Sequence, residues 1–130
     1  IVKLLLELGA DINAPPMANY GKTALQAACL NGQESVAKLL LELGADINAP
    51  PATNDGKTAL QAACSGGHES IVKLLLELGA DINAPPAANY GKTALQATCW
   101  NVQESVAKLL LEFGADVNAP PAAVGGMTAL

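Results

Sequence analysis

One string recurs along this chain. GKTALQAAC begins at Gly21 and again at Gly56, GKTALQATC begins at Gly91, and GMTAL begins at Gly126, each 35 residues after the last. LGADINAPP keeps the same period from Leu8, Leu43 and Leu78, and FGADVNAPP follows from Phe113. A fixed period of this length means that one supersecondary unit is copied and that neighbouring copies bury each other. All 130 residues fall inside the period. The sequence therefore predicts a single domain: a partial unit over 1–20, full units over 21–55, 56–90 and 91–125, and the start of another over 126–130. Residues 21–50 and 56–85 differ at only five positions, 30/65, 31/66, 33/68, 36/71 and 37/72. Those positions are the ones the common fold leaves free.

Within one unit, Thr23 reads as an N-cap, because its hydroxyl can accept a bond from an orphan N–H of the first helical turn. Ala24 to Cys29 then forms a short helix whose Leu25, Ala28 and Cys29 share one face. Asn31-Gly32 ends it, the glycine supplying a left-handed turn. A second helix is expected from Glu34 to Leu43. Val36, Leu39, Leu40 and Leu43 form its apolar face, widened by Ala37 and Leu41, and Glu34 is placed to pair with Lys38. Gly44 stops it. The segment Ala45 to Gly56 carries Pro50-Pro51 and Asn54-Asp55-Gly56, which forbid helix and favour a turn. It reads as a β-hairpin-like finger leading to the next threonine cap. Helices this short are marginal alone and their apolar faces are wide. The expected fold is all-α: an α-solenoid of stacked helix-turn-helix units with hairpin-like fingers.

Composition narrows the function. Twelve acids face seven lysines, arginine is absent, and the net charge is −5. A phosphate-backbone binder needs clustered cations, so neither nucleic acid nor an anionic membrane surface is an expected partner. No apolar run reaches the roughly 20 residues of a spanning helix. Three cysteines do not suggest a disulfide framework, which favours an intracellular setting, cytoplasmic or nuclear. The chain starts at Ile1 rather than Met, so a missing leader says little about its parent.

The series G-K-T-A-L-Q-A-A, then N-G-Q-E-S-V-A-K-L-L-L-E-L-G-A-D-I-N-A, resembles the ankyrin repeat over the whole chain. The resemblance implies stacked helix pairs, a protein partner and no catalysis. Three departures stand out. The usual T-P-L-H reads T-A-L-Q, so Gln26, Gln61 and Gln96 replace a histidine that ties neighbouring helices and loops, and a modified ladder is expected. The unit has 35 residues rather than 33, the extra two falling in the finger beside Pro15-Pro16, Pro50-Pro51, Pro85-Pro86 and Pro120-Pro121. Val102 takes the inter-helix glycine position, where a remodelled turn is expected. The doubled prolines and T-A-L-Q are also similar to arrays at the end of large fungal proteins that carry an NTPase of the NACHT type.

No chemistry emerges from the motifs. There is no phosphate loop, and Gly21-Lys22-Thr23 recurs as a helix cap. Cys29, Cys64 and Cys99 are too widely spaced along a stack for one metal or a disulfide, and read as buried small residues. His68 lacks a nucleophile partner that is special to it. Asp46, Asp81 and Asp116 are expected to bond turn N–H groups. Neither cofactor nor metal is implied.

The resemblance places partners on a concave face of fingers and first helices. The positions mapped there are Asn19, Tyr20, Lys22, Leu30, Asn31 and Gln33; Asn54, Asp55, Lys57, Ser65, Gly66 and His68; and Asn89, Tyr90, Lys92, Trp100, Asn101 and Gln103. Several of them change between copies: position 30 reads Leu, Ser, Trp, and position 20 reads Tyr, Asp, Tyr, Gly. Exposed aromatics are enriched at binding hot spots, so Trp100 and Tyr90, with Tyr20, are the expected anchors of a protein partner. A spacer or autoinhibitory arm contacting its own parent chain is the alternative. Neither end carries a polar capping unit, so fraying and association are expected of the chain alone.

Overall fold

The computed structural model describes residues 11–14, 21–100, 103–120, 122–123 and 125, the side chain of Trp100 excepted. Val102 and both chain ends, where a remodelled turn and fraying were expected, lie outside them. The described helices come in pairs: α1 (Ala24–Leu30) with α2 (Glu34–Glu42), α3 (Ala59–Gly66) with α4 (Glu69–Glu77), and α5 (Ala94–Trp100) with α6 (Glu104–Glu112).

Each first helix starts as the sequence requires. Thr23 is extended at φ −71° and ψ 165°, and its Oγ1 accepts from the Gln26 N–H at 3.1 Å. The Gln26 side chain reaches back to accept from the Thr23 N–H at 2.9 Å. This capping box satisfies two orphan donors at once, and it recurs at Thr58/Gln61 and Thr93/Gln96. Second helices end through a left-handed glycine. At Gly44 (φ +98°), the Ala45 N–H donates to Leu40 O and the Gly44 N–H to Leu41 O, which returns two of the carbonyls a helix end orphans.

Packing follows side-chain size. The first helices bury Ala28, Cys29, Ala59, Ala62, Ala63 and Cys64, whose small side chains let α1, α3 and α5 approach closely. The second helices carry Leu, Ile and Val and touch one another far less. Leu40, Ile71, Val72, Leu75, Val106 and Leu110 join Leu25, Leu60 and Leu95 in one continuous aliphatic core.

Side-chain bonds brace each unit and link it to its neighbour. Gln26 Nε2 donates to Ala49 O (3.2 Å) and Pro50 O (3.1 Å). Gln61 does the same to Ala84 and Pro85, and Gln96 to Ala119 and Pro120. The expected glutamine ladder is therefore present, tying each first helix to the loop that follows its own helix pair. The Asp46, Asp81 and Asp116 carboxylates accept from the N–H of Asn48, Asn83 and Asn118. Ser70 Oγ donates to Glu34 Oε2 at 2.9 Å, and Lys38 pairs with Glu34 at 3.2 Å. Both groups hold the Glu34 carboxyl below its usual range, the serine bond most.

Two expectations are corrected. The fingers are not hairpins: no strand exists among the described residues, and the only pairing there is an isolated parallel bridge between Asn54 and Asn89. The Asp55 N–H donates to Asn89 O and the Asn89 N–H to Thr53 O, so a finger pairs with its neighbour rather than with itself. Doubled prolines explain this, because each removes a ladder donor from one arm. Second, Leu43 is not on the buried face. α2 ends at Glu42, so Leu43 caps it beyond the last turn and stays 42% exposed.

Candidate partner-binding face

A finger tip is shaped by two consecutive residues. Asp55 and Tyr90 sit in left-handed backbone at φ 50° and 61°. The conformation is tolerable for aspartate and strained for tyrosine. The glycine that follows is buried under its own finger: a Cβ on Gly56 would fall 2.2 Å from Ala52 O, and one on Gly91 would fall 2.2 Å from Ala87 N. Only glycine lets the finger close this tightly.

The tips differ in chemistry. At Asp55, the Lys57 Nζ donates to Asp55 O (3.2 Å) and to Oδ1 (3.3 Å), neutralising the tip locally. At the equivalent position the Tyr90 side chain is 57% exposed. Its ring lies against the next tip, since a Cβ on Gly125 would meet Tyr90 Cδ1 at 2.3 Å. One flank of the ring is thus braced and the rest faces solvent.

Behind the tips, the turns between first and second helices are joined from unit to unit. His68 is half-buried, with Nε2 3.0 Å from Leu30 O. A carbonyl only accepts, so Nε2 carries the proton. The ring fills space that Gly32 and Gly66 leave open. Gln103 takes the same place one unit on: with its amide nitrogen toward the carbonyl, it donates to Cys64 O (3.0 Å) and accepts from the Gly67 N–H (3.3 Å).

Of the residues mapped to this face, Lys22, Asp55 and Tyr90 are exposed, and Leu30, Lys57, Ser65, His68, Lys92 and Gln103 are half-buried. The structure brings Asp55 and Lys57 together at one tip, and Leu30 and His68 together at one turn. Tyr20 and Asn101 lie outside the described residues, as does the Trp100 side chain.

Two clefts beside the fingers, of about 170 and 180 Å³, are lined by Ile12, Leu25 and Pro50 and by Pro51, Thr58 and Pro85. Both are smaller than a usual small-molecule pocket. Burial pushes the Cys29 and Cys64 thiols up to about 12. Cys99 departs from the expected burial and is exposed. Among the described residues no group of three or more His, Cys, Asp or Glu side chains could hold a metal ion. Nor is any helix long and apolar enough to cross a membrane.

Sequence reasoning missed one ladder altogether. Asn13 Nδ2 donates to Gly44 O (3.2 Å) while its Oδ1 accepts from the Asp46 N–H (2.7 Å). Asn48 and Asn83 repeat both bonds one unit further on. The signal was the recurrence of Asn two places after each Asp, which is indistinguishable by itself from ordinary turn chemistry.

Helix pairs repeated by translation, braced and joined by recurring side-chain bonds, define an α-solenoid, a class that offers a ladder of surface residues. The family model for ankyrin repeats, in three copies, matches residues 1–51 and 49–120. The chain belongs to the ankyrin-repeat family: it is a protein-binding, scaffold-type repeat protein and not an enzyme. No curated protein matches it.

Proposed function

We propose that this array binds a protein partner along the concave face of finger tips and first helices, with Tyr90 as its anchor. Tyr90 carries the reading: an aromatic residue 57% exposed, on left-handed backbone that costs a tyrosine about 1–3 kcal/mol. Its ring is braced on Gly125, so little rotamer freedom is left to lose on binding. Lys22, Leu30, Asp55, Lys57, Ser65, His68, Lys92 and Gln103 are the further candidate contacts along the array, and Tyr20, Trp100 and Asn101 extend the same positional series. Repeat units over 21–55, 56–90 and 91–125 each contribute one tip and one first helix. An intracellular setting accords with the three unpaired thiols.

The test is a displayed library of protein fragments selected against the chain. Selected binders are expected to shift the amide resonances of Asp55, Lys57, Tyr90 and Lys92, and to lose at least tenfold in affinity to Tyr90→Ala. Binders indifferent to Tyr90→Ala would overturn the reading. The alternative, a sensor or autoinhibitory arm within an NTPase-containing signalling protein, rests on the doubled prolines and the T-A-L-Q variant. An NTPase motif upstream of Ile1 in the parent gene would favour it, and uninterrupted repeats there would remove it.

A further inference from the structure

The second helices end at an edge of the solenoid that the finger face does not use. The residue capping each is apolar and exposed: Leu43 at 42%, Leu78 at 54% and Phe113 at 49%. Each follows a glutamate, Glu42, Glu77 or Glu112, and precedes an aspartate, Asp46, Asp81 or Asp116, and all six acids are exposed. The asparagine ladder holds these turns in register, since its bonds fall on Gly44, Gly79 and Gly114, immediately beside the three apolar residues. Between α2 and α4 the edge opens into a depression of about 400 Å³ lined by Lys38, Leu41, Glu42, Leu74 and Leu78.

The electrostatics of this edge favour a cation. Helix C-termini carry partial negative charge, yet none of the three second helices has a basic residue in its last turn. Lys38 and Lys108 pair back to Glu34 and Glu104, at 3.2 and 3.1 Å. Among the described residues no ion pair reaches any of the six edge carboxylates.

We infer that this edge docks an amphipathic α-helix of a partner protein, with an apolar residue at every seventh position flanked by Lys or Arg, running along the stacking direction. Packed helices stand about 8–10 Å apart, and an α-helix advances about 10.5 Å in seven residues. One apolar residue per heptad therefore meets one rung, and the depression between α2 and α4 takes a side chain between rungs. A second copy of this chain does not supply that partner. Acids flank the ridge on both sides, so self-pairing sets acid against acid in a chain of net charge −5. Anionic lipid is repelled in the same way.

The probe is a synthetic helical peptide of about three heptads, with Leu at every seventh position, Lys and Arg beside it and Ala elsewhere, titrated into the intact chain by calorimetry. Saturable binding that weakens with salt is expected. Leu78→Glu and Leu78→Ser should each weaken it at least tenfold without moving the chain's thermal midpoint, while Tyr90→Ala leaves it unchanged. The Leu78→Glu result is diagnostic, because simple charge attraction would strengthen when an acid is added. The proposal is overturned if the parent chain does not bind, if a Glu-flanked peptide binds as well, or if Leu78→Glu binds as tightly as the parent. It also fails if light scattering shows the parent chain dimerising through this edge and Leu78→Glu making it monomeric. The concave-face reading stands or falls separately, on Tyr90.

Discussion

Gln61 is 2% exposed and makes three structural bonds. Its Oε1 accepts from the Thr58 N–H at 3.0 Å, completing a helix cap. Its Nε2 donates to Ala84 O at 3.1 Å and to Pro85 O at 3.2 Å, securing the loop that follows α4. Gln61→Leu keeps the volume and removes all three bonds. At about 0.5–1.5 kcal/mol net per bond, the loss is about 3 kcal/mol. Thr58→Val removes only the acceptor for the Gln61 N–H, at 3.2 Å, and costs about 1 kcal/mol. With a urea slope of about 1–3 kcal/mol/M, the two variants separate clearly in their unfolding midpoints by circular dichroism. Hydrogen exchange locates the difference: Gln61→Leu should loosen the loop around Ala84 as well as the start of α3, and Thr58→Val only the latter. If Gln61→Leu costs no more than Thr58→Val, the glutamine ladder does not couple helix to loop and the reasoning fails.

Gly56→Ala should cost about 1–3 kcal/mol, because the new methyl meets the Ala52 backbone. Gly44→Ala, whose Cβ meets nothing within 4 Å, should cost only its backbone strain, about 1 kcal/mol, and paired melts rank the two. A thiol reagent should modify exposed Cys99 in the native chain and reach Cys29 and Cys64 only on unfolding, as mass spectrometry would show. The Glu34 carboxyl is lowered by Ser70 and then Lys38, so its contribution to stability is present above the unfolded carboxyl's range and disappears as pH falls through the lower folded value. Ser70→Ala should raise the Glu34 value measured by carboxyl NMR titration and narrow that acid-sensitive window.

Much of the fold was legible because each local signal agreed with the period. Thr23, Gly32 and Gly44 mark helix ends by chemistry that needs no tertiary context, and the structure uses all three as such. Gln26 was readable as a ladder residue because its amide both donates and accepts. What failed depended on neighbours. A finger with turn residues looks like a hairpin until its doubled prolines are seen to strip one arm of donors, leaving the adjacent finger as the partner for Asn54 and Asn89. Leu43 fits a helical stripe by spacing, yet lies one residue past the last turn. Cys99 repeats Cys29 and Cys64 in sequence, yet it is exposed where they are buried. At the candidate face, the resemblance placed Gln33, His68 and Gln103 among the partner positions, while the His68 and Gln103 side chains bond the preceding unit. Divergence between copies marks tolerance, and two side chains of different chemistry serve one inter-unit role.

The central claim is that translated copies hold one another, each unit stabilised by its neighbours. Inserting one further copy of residues 56–90 and repeating the equilibrium unfolding tests this most directly. The account predicts a higher midpoint and a steeper transition, since one more unit and one more interface join a cooperative stack. An unchanged midpoint, or a separate second transition for the added unit, would contradict it.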